Sequence, residues 1–125
     1  MSIRARQPVV FATLAASVLL LVSVTLEGQD QGGQTREFVV TGDHYAFSPA
    51  SIAVNKNDLV KVTFTARDMP HSFTIDGPYR ISKRANAGQS VTFEFRADQT
   101  GTFTIYCALS QDPKCSDMKG TLQVR

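Results

Sequence analysis

The feature that most limits how this chain can fold is a strict alternation of apolar and polar residues in several short segments. Val60, Val62 and Phe64 alternate with polar residues, and the same pattern recurs in residues 91–96, 102–107 and 122–124. A period of two is typical of a half-buried β-strand. Turn residues separate the segments, and no helical period persists beyond the N-terminal region. The pattern therefore predicts an all-β antiparallel sandwich of about seven or eight strands.

The N-terminal region is a different kind of sequence. Arg4 and Arg6 precede an uncharged apolar run from Val9 to Leu26. This order is that of an export signal, and the run is also long enough to cross a bilayer as a helix. Because residues 22–25 make a poor cleavage site, an uncleaved single-pass anchor over residues 1–26 is favoured over a signal peptide. Both alternatives export the remainder, which divides into a linker at 27–35 and a domain at 36–125.

The charge balance limits the possible partners. The chain has 13 Lys and Arg residues against 11 Asp and Glu, a formal charge of +2. Arg4 and Arg6 account for that excess, so the exported part is close to neutral. It has no basic stripe interleaved with aromatic residues, which argues against a nucleic acid partner. It also has no nucleophile motif, phosphate-binding loop or prominent pair of carboxylates, so we do not expect an enzyme acting alone. A subunit of a larger oxidase complex stays possible.

The residues that carry chemistry are few. His71 follows Pro70 at the start of a predicted strand, Cys107 ends another, and Cys115 and Met118 follow in the last loop. A thiolate, an imidazole and a thioether are the soft or borderline donors that suit copper. We therefore predict a copper site at one end of the sandwich, formed by His71, Cys107, Cys115 and Met118.

Each of these residues also has an ordinary interpretation. In an oxidising compartment a lone pair of cysteines forms a disulfide by default, and closing this short loop would contribute about 2–3 kcal/mol. Met118 fits equally well as a core residue. His44 could supply a second imidazole, but it is more simply an exposed histidine. The cationic residues Arg80, Lys83 and Arg84 are most simply a solvated face.

Several segments together resemble the cupredoxins, most closely the exported domains related to cytochrome c oxidase subunit II. The resemblance covers nearly all of residues 36–125, with the segments in the family's order. The segments that carry it are Phe47-Ser48-Pro49, Ile52-Ala53-Val54, Asp58, Val60, His71-Ser72-Phe73, Gly101-Thr102-Phe103, Tyr106-Cys107 and Met118-Lys119-Gly120-Thr121-Leu122.

The resemblance implies a Greek-key sandwich with copper at one end. His71, Cys107 and Met118 match positions that hold family ligands. Cys115 stands where the family's second histidine is expected, three residues before the methionine. The subunit II pattern, which binds a two-copper centre, has two cysteines four apart and a histidine. Here the cysteines are eight apart and that histidine is missing, which argues against a dinuclear centre.

Three functions remain open. The leading one is a membrane-tethered copper protein that passes single electrons to or from a redox partner protein. The second is a copper carrier or reservoir that delivers the metal to a copper-accepting protein. The third is a metal-free binding module that is stabilised by a Cys107–Cys115 disulfide.

Overall fold

Nine β-strands, joined mostly by short turns, make up residues 33–125, the part of the chain that the computed structural model describes. The predicted all-β sandwich is confirmed, with nine strands instead of seven or eight. The predicted N-terminal anchor lies outside the described residues. The strands are β1 (Thr35–Asp43), β2 (Ala46–Ser48), β3 (Ser51–Val54), β4 (Leu59–Ala66), β5 (His71–Ile75), β6 (Ile81–Ala85), β7 (Ser90–Arg96), β8 (Gly101–Tyr106) and β9 (Lys119–Val124).

The strands form two sheets. The first has the order β2-β1-β4-β7, and the second has the order β3-β9-β8-β5-β6. β1 runs parallel to β4, and β3 runs parallel to β9, whereas the other pairs are antiparallel. Within residues 33–125, no helix is long and apolar enough to span a membrane.

The alternation seen in the sequence becomes the inner face of each sheet. In β4, Val60, Val62 and Phe64 are fully buried, while the residues between them are partly exposed. Since successive side chains of a strand point to opposite faces, one face of β4 forms core and the other meets solvent. Four phenylalanine rings from both sheets pack against one another at the centre, with neighbouring centroids 5.2–6.2 Å apart: Phe47, Phe64, Phe73 and Phe93.

Strand β6 is an element that the sequence pattern missed. Ile81 and Ala85 are buried at its ends, but Ser82, Lys83 and Arg84 between them are exposed. β6 is the outer strand of its sheet, and charged residues on an edge strand discourage pairing with other chains. The interpretation of Lys83 and Arg84 as solvent-exposed is confirmed. The same two residues interrupt the apolar–polar alternation, which is why the sequence pattern did not predict this strand.

At the opposite end of the sandwich from His71, the carboxylate of Asp58 organises a turn. It accepts the backbone N–H of Asn55 at 2.8 Å and that of Gln34 at 2.9 Å, and Arg36 lies 3.5 Å away. The Asn55 hydrogen bond is the main reason that the pKa of Asp58 lies below its ordinary value, even though burial alone would raise it.

We expect replacement of Asp58 by asparagine to destabilise the fold at neutral pH by about 2 kcal/mol, because hydrogen bonds to a charged acceptor are lost. A carboxylate with a lowered pKa stabilises the folded state above its unfolded pKa, which is about 3.9, and stops doing so as the pH falls below it. Urea unfolding should therefore show the gap between wild type and Asp58→Asn shrinking from pH 6 to pH 3. The exposed Asp98→Asn is the control, and a gap that is constant with pH would contradict the assignment.

Candidate metal centre

All four residues predicted as metal ligands are buried at one end of the sandwich. His71 is the first residue of β5, Cys107 directly follows β8, and Met118 directly precedes β9. Cys115 begins a short 3-10 helical turn, Cys115–Asp117, in the last loop. Each of the four is 1% exposed or less, so this end of the molecule excludes water from its sulfur and imidazole groups.

The imidazole of His71 is held by the carboxylate of Asp68. His71 Nε2 lies 2.6 Å from Asp68 Oδ1. Burial raises the pKa of Asp68, but the hydrogen bonds from His71, from the His44 backbone N–H and from its own backbone outweigh it and hold the pKa at about 2. Asp68 is therefore ionised, and His71 Nε2 carries the shared proton. Nδ1 is the ring nitrogen that remains for a ligand.

The side chains of Met118 and His71 both lie against Gly42 in β1. A Cβ atom added to Gly42 would lie 2.9 Å from Met118 Cε, 3.1 Å from Phe64 Cζ and 3.2 Å from His71 Cδ2. Contacts this short are closer than ordinary van der Waals separation. The absence of a side chain at Gly42 therefore lets the thioether and the imidazole pack side by side.

We expect Gly42→Ala to displace Met118 while leaving the protein folded, because the nearest atom is the end of a flexible side chain. Overpacking of this kind costs about 1–3 kcal/mol. The methyl resonance of Met118 should shift in a methyl NMR spectrum while that of Met69, which lies before β5, stays in place. An unchanged Met118 resonance would contradict the packing described here.

Cys107 is tied to the strand that carries His71. Its Sγ accepts the backbone N–H of Ser72 at 3.4 Å, and the hydroxyl of Ser72 accepts the N–H of Ala108 at 2.7 Å. The backbone N–H of Cys107 donates to the carbonyl of Met118 at 3.3 Å. The sulfur of Cys107 is thus fixed between the strand of the histidine and the residue that supplies the thioether.

Cys115 is joined to Cys107 in a disulfide, which is one of the two alternatives that the sequence left open. Their Cα atoms are 5.2 Å apart, and Cys115 Sγ also accepts the N–H of Leu109 at 3.2 Å. In this form neither sulfur is a thiolate, and the donor set does not fit copper. In the reduced form two thiols join one imidazole and one thioether, and that set does fit. The role of the four residues as ligands stays a prediction.

His44 lies apart from these four residues. It follows β1 in a tight turn, its side chain is 86% exposed, and its Nδ1 lies 2.6 Å from Asp43 Oδ1. The interpretation of His44 as an exposed residue is confirmed.

Three residues that shape the site were not singled out from the sequence. Asp68 stands three residues before His71, a spacing that hints at the contact. Gly42 and Ser72 carry no such signal, because their contacts depend on strand register and on the crossing between sheets.

Comparison with known proteins agrees with this architecture. No curated protein sequence matches the chain. Among solved structures, a chain of a heme-copper terminal oxidase dimer superposes with a TM-score of 0.66 at 17% identity, over 75% of this chain and 66% of that one, just under two thirds of its length. Auracyanin A, a "blue" copper protein from Chloroflexus aurantiacus, superposes with a TM-score of 0.63 at 17% identity, over 73% and 99%.

The periplasmic domain of cytochrome oxidase subunit II (CoxB) of Bradyrhizobium japonicum superposes with a TM-score of 0.61 at 16% identity, over 71% of this chain and 83% of that one. At such identities the likeness establishes the fold. The sequence itself matches the cupredoxin-like domain family over residues 14–124. Nearly the whole chain is covered by that match, and the protein therefore belongs to the cupredoxin-like domain family.

Proposed function

We propose that this protein is an exported, membrane-tethered cupredoxin that binds one copper ion in its reduced form and passes single electrons. His71, Cys107, Cys115 and Met118 would hold the metal, and the N-terminal segment 1–26 would anchor the domain on the periplasmic or extracytoplasmic side of the membrane. Copper would supply a one-electron couple. The redox partner would be another protein, and a place within an oxidase complex is compatible with the oxidase chains that share the fold.

The observation that carries the proposal is that all four candidate donors are buried at the same end of the sandwich. The Met118 methyl and the His71 ring edge both lie against Gly42, and Cys107 Sγ is bonded to the N–H of the residue after His71. A buried thioether or thiol needs no metal to explain it. A buried imidazole oriented by a carboxylate, at the same end of the sandwich as two sulfurs and a thioether, supports a metal site in the reduced protein.

The chain's own residues would do three things at such a site. Asp68 fixes the His71 tautomer and leaves Nδ1 facing away from the carboxylate. The N–H groups of Ser72 and Leu109 donate to the two sulfurs, which would stabilise negative charge on them. Burial keeps water from the donors and limits rearrangement. In the disulfide form neither sulfur can bind copper. Copper loading therefore requires that a dithiol reductant outside the cytoplasm first reduce the disulfide to two thiols, supplying two electrons and two protons.

A second candidate function is a metal-free binding module, and the disulfide favours it. The Cys107–Cys115 bond closes the last loop and would stabilise the fold without copper. In that case His71 and Met118 would be core residues, and the domain would recognise a partner through its surface.

The test compares the full-length protein in its oxidised and reduced forms. Free thiols are titrated and bound copper is measured on the same sample, followed by visible absorption and voltammetry. We expect one copper ion bound through the sulfurs per reduced protein, an intense thiolate-to-Cu(II) absorption and a reversible one-electron potential. The oxidised protein should lack the intense absorption.

Two other outcomes would each support a different function. Stoichiometric Cu(I) binding without reversible redox behaviour would support a copper carrier and exclude electron transfer. A protein that resists reduction under native conditions, or that binds no copper once reduced, would support the metal-free binding module.

A further inference from the structure

A second group of metal-binding side chains lies at the surface, in Asp43, His44 and Asp68. Each offers one ligand atom, and these atoms all lie within 4.8 Å of one another. Asp43 ends β1, His44 begins the turn into β2, and Asp68 comes from the crossing that leads to β5. The three residues meet because β1 and β4 are neighbouring parallel strands of one sheet, with Gly42 opposite Ala66.

One atom of this group lacks the partner that it needs. Among residues 33–125, Asp43 Oδ1 is the single buried side-chain oxygen or nitrogen without a hydrogen bond. His44 Nδ1 lies 2.6 Å from it, and the two atoms form an ion pair only when the imidazole is protonated. Buried acceptors in folded proteins are nearly always satisfied, so an orphaned one needs a cause. A cation shared by the two atoms would supply it.

The third member of the group is positioned by a backbone hydrogen bond. Asp68 Oδ2 accepts the backbone N–H of His44 at 3.0 Å, which holds the carboxylate against the turn. Asp43 adds a second carboxylate. The imidazole of His44 is largely exposed, so an ion from solution could reach it without opening the fold.

We propose that Asp43, His44 and Asp68 form a solvent-accessible site for a divalent transition-metal ion, with Cu²⁺ as the preferred ion. One imidazole nitrogen with two carboxylate oxygens is a borderline donor set that suits Cu²⁺ or Zn²⁺, whereas Ca²⁺ takes six to eight oxygens. Where copper and zinc compete at equal concentration, the general order of affinities favours Cu²⁺. This site shares Asp68 with the buried sulfur site, where the carboxylate contacts His71, but it uses different ligand residues otherwise and does not depend on the proposed function.

The test uses the full-length protein in its disulfide form, where the sulfur donors are withdrawn. Absence of free thiols is first verified by titration after denaturation. Cu²⁺ is then added at pH 7 and followed by calorimetry and electron paramagnetic resonance. We expect one equivalent to bind, with a weak visible absorption and a resonance signal from nitrogen and oxygen ligands.

Variants then assign the site. His44→Ala and Asp43→Asn should each lower the Cu²⁺ affinity at least about 10-fold, the smallest loss usual even for a residue outside the coordination sphere. Asp98→Asn, which removes an exposed carboxylate at the far end of the sandwich, should leave the affinity unchanged. Circular dichroism checks that each variant is folded. No binding by the wild type, equal affinity in His44→Ala, or an equal loss in Asp98→Asn would overturn the proposal.

The two sites share Asp68, but the results for them can be distinguished. If the reduced protein fails to bind copper through its sulfurs while the oxidised protein binds Cu²⁺ through His44, the proposed function fails and this inference stands. The opposite pair of results would remove this site and leave the buried one.

Discussion

Replacing Cys107 by serine should abolish copper binding by the reduced protein, lowering the affinity by more than about 100-fold. Loss of a residue that merely orients a ligand usually costs 10- to 100-fold, and Cys107 would be a ligand itself. Serine keeps the size of the side chain, but its hydroxyl is a hard donor that stays protonated at neutral pH. Copper binding is measured by competition with a Cu(I) chelator under anaerobic conditions.

Cys115→Ser is the matched control. Both variants lose the disulfide, and so both should be less stable than the oxidised wild type by about 2–3 kcal/mol in urea. Any difference in copper affinity between them therefore reports on the metal site alone. We expect Cys115→Ser to retain more affinity, because Cys107 Sγ is anchored to the strand of His71 and Cys115 lies in the last loop. Wild-type affinity in both variants would show that neither sulfur binds the metal.

Replacing Phe73 by alanine should destabilise the domain by about 3–5 kcal/mol. Phe73 is 1% exposed and lies 5.2–6.2 Å, between ring centroids, from Phe47, Phe64 and Phe93. Truncation removes the contacts between the sheets and leaves a cavity that the rigid strands around it cannot fill. Because a small domain is stabilised by only about 5–15 kcal/mol, much of the stability would be lost.

Phe73→Leu keeps most of the buried volume and should cost clearly less than alanine, as measured by urea or thermal unfolding of the oxidised protein. Phe95→Ala is a second control, because Phe95 lies in β7 and is only partly buried. Equal losses in Phe73→Ala and Phe95→Ala would mean that the central cluster does not organise the core as described.

The sandwich was predictable because each of its regular strands can be recognised from a short stretch of sequence. In β4, β7 and β8, the alternation of side chains follows directly from the pleat of a strand, so a short stretch of sequence reveals both the strand and its inner face. The pattern failed at β6, where Lys83 and Arg84 occupy successive exposed positions on an edge strand. Lys83 lies on the same face as the buried Ile81 and Ala85, but its ammonium reaches solvent past the Phe93 ring, 5.9 Å from the ring centroid, so no apolar residue marks the inner face at this position.

The candidate site was predictable only as a set of residue types. His71, Cys107, Cys115 and Met118 stood out because soft donors are rare in this chain, and all four are buried at one end of the sandwich. The choice between thiols and a disulfide needed the distance between Cys107 and Cys115, and spacing along the chain does not give a distance in space. The roles of Asp68 and Gly42 likewise depend on how β1, β4 and β5 meet.

The sequence by itself determined the class of fold, the inward face of its regular strands and the residues able to bind a soft metal. The tertiary structure decided the pairing of the cysteines, the carboxylate that orients His71, and the meeting of Asp43, His44 and Asp68 at the surface. The physical reason is that the two kinds of feature are set at different levels of structure. Strand periodicity is set by neighbouring residues, whereas these contacts depend on how the connections between strands fold at one end of the sandwich.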